Sequence, residues 1–225
     1  MDTSAEMPDR ELPHGPVLFD MDGVLVDSET YWHRFEEEWV FETAVADASP
    51  ANEEVTGMAY HEIYDYLEST YGTTVTKAAF VDRYEERAEA LYGGQVALTD
   101  GMPELFDRLR ADGRGVGIVS SSPRGWIDIV RGRFDLGALD IVVSAEDIDE
   151  PGKPAPHIYE HAAGKLGVAP SECVVVEDSQ NGIEAAVGSG AYTIAYRSTH
   201  NAELDLARAD IVVDGPSELT SVLVG

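Results

Sequence analysis

An α/β fold, with a doubly wound, mostly parallel sheet and an inserted all-helical segment, is the architecture that this sequence predicts. Short apolar runs rich in β-branched residues recur along the chain. From about residue 100 onward they alternate with helical patterns, whereas residues 30–94 carry helical patterns alone. Nearly continuous apolar runs are typical of strands buried on both faces, and the alternation indicates helices covering both sides of a parallel sheet.

Six runs have the length and composition of buried strands. They are "PVLFD" (16–20), "GVGIVS" (115–120), "DIVVS" (140–144), "CVVVED" (173–178), "YTIAY" (192–196) and "DIVVD" (210–214). We expect them to form the sheet of a Rossmann-like core.

Four helical patterns separate the later runs. They are Met102, Leu105, Phe106 and Leu109; Trp126, Ile129 and Val130; Ile158, Ala162 and Leu166; and Ile183, Ala186 and Val187. Pro103 suits the first turn of a helix, and Gly113, Gly167 and Gly188 suit helix ends. These patterns predict the helices that flank the sheet.

The region from Thr30 to Gly94 has no strand-like run. Its apolar residues form three stripes at helical spacing: Trp32, Phe35 and Trp39; Tyr60, Ile63, Tyr64 and Leu67; and Phe80, Tyr84, Ala88 and Leu91. Such stripes are more typical of a helical core than of a cofactor site. We predict a loose tail at 1–14, a catalytic core formed by 15–29 and 95–225, and a helical domain at 30–94.

The chain is strongly acidic. Asp and Glu number 43 against 15 Lys plus Arg, which gives a net charge of -28, and the acids are spread along the sequence. Such a surface repels nucleic acid and anionic membranes. The composition resembles that of proteins from salt-loving archaea, and we interpret it as an adaptation to high salt, where screening weakens self-repulsion.

The N-terminal sequence and the apolar content predict a cytoplasmic protein. "MDTSAEMPDRELPHGP" lacks the basic and apolar regions of a signal peptide, and no apolar stretch reaches the length of a membrane span. Since Cys173 is the single cysteine, an intrachain disulfide is excluded, and we interpret Cys173 as a small buried hydrophobic residue. We also expect a monomer, because no large apolar patch is evident.

Polar residues follow four of the predicted strands. They are Asp20 and Asp22; Ser120, Ser121 and Ser122; Lys153; and Glu177 and Asp178. Parallel strands end at one edge of a sheet, where ligands bind. Asp20, Asp22 and Asp178 offer the hard oxygen ligands that Mg²⁺ prefers. A Ser hydroxyl, helix N-terminal N–H groups and Lys153 can hold a phosphoryl group.

Alone, each of these groups has an ordinary interpretation. Asp20 and Asp22 before Gly23 could form a turn, the serines could cap a helix, Asp178 could also be a cap, and Lys153 could lie on the surface. Their joint placement favours chemistry, in which one carboxylate acts as nucleophile and another as acid and base.

The segments "DMDGVLVDSE", "VSSS", "GKPAP" and "VEDSQNG" occur in the order of the four motifs of the haloacid dehalogenase-like hydrolase superfamily. The chain resembles its branch of phosphoglycolate phosphatases and β-phosphoglucomutases, and the resemblance covers everything after the tail. It implies a cap domain at 30–94 and hydrolysis of a small phosphorylated metabolite. Dehalogenation is not implied, since the dehalogenases lack the acid that Asp22 supplies.

The resemblance also implies roles for the motif residues. Asp20 would be the nucleophile and Asp22 the general acid and base. Mg²⁺ would be bound by the carboxylates of Asp20 and Asp178 and the main-chain carbonyl of Asp22, with Glu177 orienting the site or reaching it through water. The phosphoryl group would be held by Asp20, Ser120, the Ser121 backbone and Lys153.

The substrate is expected to depend on the cap, and two alternatives to a phosphatase stay open. Sugar phosphomutase relatives carry a His twelve positions after the nucleophile, where this chain has Trp32, with His33 next to it. They also carry a cap Arg, where "TGMAYHE" offers Tyr60 and His61. Both differences weaken the mutase hypothesis.

The second alternative is a non-catalytic phosphate-binding module. Such a module would not need a nucleophile, so the complete set of acids, serine and lysine argues against it. Arg124 could contact a substrate phosphate or cover the helix surface.

Overall fold

Six parallel strands form one sheet in the computed structural model, which describes residues 10–46, 50–55 and 58–225. The strands are β1 (Val17–Phe19), β2 (Val116–Ser120), β3 (Ile141–Ser144), β4 (Val174–Glu177), β5 (Tyr192–Arg197) and β6 (Ile211–Asp214). Their order is β3-β2-β1-β4-β5-β6, so all six predicted strands are confirmed. Val17 of β1 pairs with Val116 on one side and Val174 on the other. The order therefore reverses beside β1, where open parallel sheets bind their ligands.

Helices cover both faces of this sheet and also fill the interval between β1 and β2. They are α1 (Glu29–Phe35), α2 (Tyr60–Thr70), α3 (Lys77–Ala90), α4 (Met102–Ala111), α5 (Arg124–Phe134), α6 (His157–Leu166), α7 (Gln180–Ser189) and α8 (Gly215–Val224). The four helices predicted after residue 100 are confirmed as α4 to α7. The predicted end of α7 at Gly188 is wrong, because Gly190, with a φ of 88°, adopts the left-handed cap conformation that glycine favours.

The central strand contributes to both cores. Val17 and Phe19 pack into a cluster that includes Phe106 of α4, whereas Leu18 packs with α6 and α7 on the opposite face. Successive strand side chains point to opposite faces, so an uninterrupted apolar strand buries both sides. β1 is consequently inaccessible except at its carboxyl end.

The helices between β1 and α4 form a unit that we call the helical insert, from Glu29 to Gln95. Within its described residues no strand is present, as the sequence predicts; one isolated bridge joins Val45 and Thr73. Both α1 and α3 continue as π-helical segments, Glu36–Ala44 and Leu91–Gln95. In a π-helix each backbone N–H donates to the carbonyl five residues earlier. Such segments are rare in proteins, and those that exist are frequently found at functional sites.

Aromatic rings hold the helical insert together and join it to the core. Trp32 stacks on Tyr84 of α3 and on Trp126 of α5, each at 5.4 Å between ring centroids. Tyr60 stacks on Trp126 at 5.0 Å. The predicted aromatic stripes are thus packing residues, and Trp126 extends their cluster into the core.

Residues 1–9 of the predicted tail lie outside the described residues, and the residues that follow them contact the core. Arg10 forms an ion pair with Asp210 at 3.2 Å and donates to the carbonyl of Gly190. Arg114 donates to the carbonyls of Pro13 and Gly15. Among the described residues no helix is both long and apolar enough to cross a membrane.

Candidate active site

The turn after β1 brings Asp20 and Asp22 to the carboxyl edge of the sheet. The backbone N–H of Asp20 donates to Val176 of β4, so the first acid continues the strand register. Gly23 follows at a φ of 74°, and a Cβ there would lie 2.0 Å from Oδ2 of Asp178. Glycine is required for two reasons, the left-handed backbone and the close approach of a carboxylate.

Lys153 lies between two buried carboxylates. Its Nζ donates to Oδ1 of Asp20 at 2.6 Å and to Oε1 of Glu177 at 2.5 Å. Tyr159 of α6 donates to the same Glu177 oxygen. Burial lowers the pKa of Lys153, but the charges of Asp20 and Glu177 outweigh it and hold the pKa well above its ordinary value. Lys153 is therefore a fixed cation beside Asp20.

Asp22 is held by hydroxyl groups instead of a cation. Its Oδ1 accepts from Ser28 at 2.6 Å and from the Tyr92 phenol at 2.5 Å, and its Oδ2 accepts from Ser122 at 2.7 Å. Trp32 in turn donates from Nε1 to the Tyr92 oxygen at 2.9 Å. Burial raises the pKa of Asp22, and the charge of Glu29 adds to this, while the three hydroxyls oppose it. The environment favours a carboxyl group that can hold a proton.

The serines after β2 form a compact loop at the start of α5. Ser120 is buried, and its Oγ accepts from the backbone N–H of Ser122 at 3.0 Å. Ser144 at the end of β3 donates to the Ser122 carbonyl at 2.8 Å. Ser121 lies on the same loop and lines the cavity above Asp20. The loop presents hydroxyls and backbone beside the acids, which suits an anionic oxygen.

The acids after β4 complete the site. Oδ2 of Asp178 lies 2.6 Å from Nε2 of His200, and the Asp178 carbonyl accepts from Asn201. Burial lowers the pKa of His200. Asp20, Glu177 and Asp178 each place one carboxylate oxygen within 4.8 Å of the others. Three carboxylates therefore converge on one point.

The donor set of this point fits a hard divalent cation. Burial raises the pKa of Asp20 well above its ordinary value; Lys153 opposes this, and Glu177 and Asp178 reinforce it. Burial likewise raises the pKa of Asp178, and the charges of Glu29 and Glu177 add to it. One lysine leaves the three carboxylates with excess negative charge, and all the donors are oxygens. Both properties are those of a Mg²⁺ site.

A cavity opens above the acids, between the sheet edge and the helical insert. Its volume is about 610 Å³, counting the part open to solvent. The core contributes Asp20, Asp22, Lys153, Asp178 and the three serines of the β2 loop, while Trp32, Glu36 and Tyr60 are among the lining residues of the insert. The four sequence motifs thus meet at one cavity.

Three candidate substrate residues lie elsewhere. His33 faces Glu29 at 3.3 Å, His61 is exposed with its ring against Tyr60, and neither lines the cavity. Arg124 pairs with the Asp147 carboxylate and donates to the Val142 carbonyl. The guanidinium of Arg124 is therefore paired with Asp147, and Arg124 does not line the cavity.

The residues of the site that had not been identified from the sequence include Ser28, Glu36, Tyr92 and His200. His200 follows the fifth strand, and the same search of strand ends would have found it. Ser28 lies inside the first motif. Glu36 and Tyr92 lie four residues after Trp32 and Ala88 of the predicted stripes, but nothing in the sequence indicates that these helix faces meet the acids.

Known proteins share this architecture and sequence. Residues 17–190 match the profile of a hydrolase family described as haloacid dehalogenase-like hydrolase. The chain is 32% identical over 211 residues to hexitol phosphatase B from Escherichia coli (strain K12), covering 91% of this chain and 93% of that one. It is 34% identical over 212 residues to validoxylamine A 7'-phosphate phosphatase from Streptomyces hygroscopicus subsp. limoneus, covering 90% and 94%.

A solved structure shares the fold at lower sequence identity. CbbY from Rhodobacter sphaeroides, in complex with xylulose-(1,5)bisphosphate, superposes with a TM-score of 0.73 at 22% identity, over 89% of this chain and 93% of that one. This likeness concerns the architecture alone.

Proposed function

The chain belongs to the haloacid dehalogenase-like hydrolase family and is a phosphoric monoester hydrolase, and we propose that it is a Mg²⁺-dependent phosphatase that cleaves a small sugar or polyol phosphate through a phosphorylated Asp20. The observation that carries the proposal is the contrast between the two acids. Asp20 lies 2.6 Å from a lysine, whereas Asp22 is surrounded by hydroxyls. Different environments give two carboxylates different roles.

In the first step an oxygen of Asp20 attacks phosphorus and the bond from phosphorus to the substrate oxygen breaks. Asp22 gives its proton to that leaving oxygen. Burial raises the pKa of Asp22 and so favours the proton that the acid must carry before the step. Burial raises the pKa of Asp20 as well, and the contact with Lys153 opposes it and favours the carboxylate that attacks. The products are a free alcohol and an aspartyl-phosphate on Asp20.

In the second step Asp22 is a base. It accepts a proton from water, whose oxygen attacks phosphorus while the bond to Asp20 breaks. Inorganic phosphate leaves, and both carboxyl groups return to their first state. The Ser120 hydroxyl, the Ser121 backbone and Lys153 stabilise the phosphoryl oxygens in both steps.

Mg²⁺ would be held by the carboxylates of Asp20 and Asp178 and by the main-chain carbonyl of Asp22, with Glu177 positioning Lys153. When bound it supplies positive charge for the phosphoryl oxygens. The carboxylate oxygens of Asp20 and Asp178, which belong to the cluster within 4.8 Å, support their part of this assignment, and the Asp22 carbonyl is assigned by resemblance to the family.

The substrate class is inferred from the relatives, whose names specify a hexitol phosphate and the 7'-phosphate of validoxylamine A. A sugar phosphomutase is the alternative within the same family. Trp32 stands where the mutase relatives have a His, and its Nε1 donates to Tyr92, so it supplies no base. We regard hydrolysis as the better supported reaction.

The test measures phosphate release from a panel of phosphomonoesters in high salt. We expect turnover that is lost in EDTA and restored by Mg²⁺, and a loss of at least ~10³-fold in Asp20→Asn. Asp82→Asn, at an exposed acid of α3, is the matched control and retains activity. Asp22→Asn lacks the acid of the first step and the base of the second, so with radiolabelled p-nitrophenyl phosphate, whose leaving group needs no proton, we expect the phosphoryl group to stay on the protein after acid quench.

Two outcomes contradict the proposal. One is phosphate release by Asp20→Asn at the rate of the unmodified enzyme. The other is interconversion of sugar phosphates without net phosphate release, which indicates the mutase.

A further inference from the structure

Glu36 is a buried acid that lines the cavity and has one carboxyl oxygen without a hydrogen-bond partner among the described residues. The residue is 5% exposed and lines the cavity together with Asp20 and Asp22. Its Oε1 accepts a long hydrogen bond of 3.5 Å from the Tyr84 phenol. Its Oε2 has no hydrogen-bond partner among the described residues. Buried polar atoms are almost always paired in folded proteins, so an unpaired one on a residue that lines a cavity indicates a ligand group.

The backbone directs this side chain toward the cavity. Glu36 is the first residue of the π-helical segment that continues α1, and it lies one turn after Trp32. Residues four apart share a helix face, and Trp32 also lines the cavity. Irregular helical turns of this kind recur at functional sites.

The walls around Glu36 are aromatic and apolar. Trp32 and Tyr84 form a stacked pair, and Trp126 stacks on Trp32 and on Tyr60. These rings pack on one another and also line the cavity, so the surface they leave there is apolar and suits the C–H groups of a sugar ring or polyol chain, whose orientation a few polar groups then fix.

The end of the cavity near Glu36 is lined by acidic and uncharged side chains. Among the described lining residues Lys153 is the only cation, and it contacts Asp20. Glu29 and Glu36 are the acids that the helical insert contributes. A second phosphate or a carboxylate on the substrate would find no cation among the described lining residues near Glu36 to pair with, which is unfavourable in a buried site.

The protonation of Glu36 suits a neutral partner. Burial raises the pKa of Glu36 to about 8, the charges of Glu29 and Glu37 add to this, and His33 and Tyr84 oppose it. At neutral pH the group is therefore mainly a carboxylic acid, with one O–H donor and one carbonyl acceptor. A hydroxyl group, which both donates and accepts, is its complement.

We propose that Glu36 is a specificity-determining residue that binds a hydroxyl of the leaving group, so that the enzyme selects uncharged polyhydroxylated monophosphates and discriminates against substrates with a second anionic group. The inference rests on the proposed phosphatase activity, because the hydroxyl is recognised while the phosphoryl group faces Asp20.

The test compares three kinds of phosphomonoester at pH 7 in high salt with Mg²⁺. Sorbitol 6-phosphate, mannitol 1-phosphate and inositol 1-phosphate carry hydroxyls, p-nitrophenyl phosphate has none on its leaving group, and phosphoglycolate carries a carboxylate. We expect the best polyol phosphate to exceed phosphoglycolate in kcat/KM. In Glu36→Leu, the ratio of kcat/KM for that polyol phosphate to kcat/KM for p-nitrophenyl phosphate falls at least about tenfold, mainly through KM.

Two further variants separate recognition from packing. Glu36→Gln keeps a donor and an acceptor in the same shape and retains most of the ratio, whereas Glu36→Asp withdraws the carboxyl group and lowers it. Glu42→Gln, on the exposed side of the same segment, is the control. If Glu36→Leu fails to fold, Glu36→Asp decides.

Each failure has its own signature. Absence of phosphate release by the unmodified enzyme from all of these phosphomonoesters contradicts the phosphatase itself. Hydrolysis without a preference for polyol phosphates over phosphoglycolate overturns the inference about Glu36 alone. The same holds for a folded Glu36→Leu or Glu36→Asp enzyme that keeps the original ratio.

Discussion

Asp22 accepts hydrogen bonds from hydroxyls that lie 6, 70 and 100 positions away in the sequence. These donors are neutral, so they orient the carboxyl group without fixing its charge. Asp20, two residues earlier, instead contacts the ammonium of Lys153. In the proposed reaction this difference lets Asp22 gain and lose a proton while Asp20 attacks. Tyr92, which reaches Asp22 from the helical insert, is then a positioning residue.

Tyr92→Phe is expected to lower kcat about tenfold with little change in KM, because Asp22 loses a donor that orients it. Hydrogen bonds from hydroxyls lower the pKa of Asp22, so the substitution raises that pKa further. The proton needed for the first step is then retained to higher pH, and the alkaline decline of kcat/KM moves upward.

Tyr71→Phe is the control for this prediction, since the Tyr71 phenol also donates to a carboxylate, that of Glu54 in the helical insert. The measurement is the pH–rate profile of both variants. Identical profiles for Tyr92→Phe and the unmodified enzyme would remove Tyr92 from the positioning of Asp22.

At the scale of elements, the site depends on irregular segments that join regular ones. The turn after β1 passes through Gly23 in a left-handed conformation, which lets Asp178 approach from the end of β4. The two π-helical segments carry Glu36 and Tyr92 and bring both side chains to the cavity or to Asp22. The strands fix where the acids lie, and these segments decide what surrounds them.

Gly23→Ala is expected to abolish most activity and to lower the melting temperature. The new Cβ needs both a positive φ, which costs about 1–2 kcal/mol, and space now filled by the Asp178 carboxylate. Gly113→Ala is the matched control, because Gly113 has a φ of 75° with nothing within 4 Å of its Cβ position.

Thermal melts and kcat measured side by side distinguish the two costs. Gly113→Ala should lose only the stability that a positive φ costs a residue with a Cβ, and it should keep its activity. Equal losses of activity in both variants would contradict the role assigned to the contact between Gly23 and Asp178.

For the whole molecule, the dominant property is a net charge of -28 on 225 residues. Several ion pairs are local and exposed, such as Arg34 with Glu38 and Arg83 with Glu86, and contribute little individually. Unpaired repulsion among acids therefore opposes folding. Salt weakens it, since the screening length falls from about 10 Å at 0.1 M to about 3 Å at 1 M.

We therefore expect the melting temperature to rise by several degrees between 0.1 M and 2 M KCl. KCl is chosen because it screens charge with little direct effect on apolar burial. A melting temperature that stays constant over this range would contradict the interpretation of the composition as an adaptation to high salt.

Much of the architecture follows from the sequence alone. An apolar run of strand length that ends in Asp20 or Asp178 encodes both its burial and the position of its acid, because these are local properties of a strand. The six strands, the helices α4 to α7 and the convergence of the four motifs were predictable for this reason.

The tertiary structure decided what the local pattern does not contain. The contact of Tyr92 with Asp22, the pairing of Arg124 with Asp147 and the position of Glu36 at the cavity depend on how elements far apart in sequence dock. Apolar periodicity in the sequence shows which face of a helix is buried. It does not say which distant element that face meets, so these side chains could be assigned only from the folded chain.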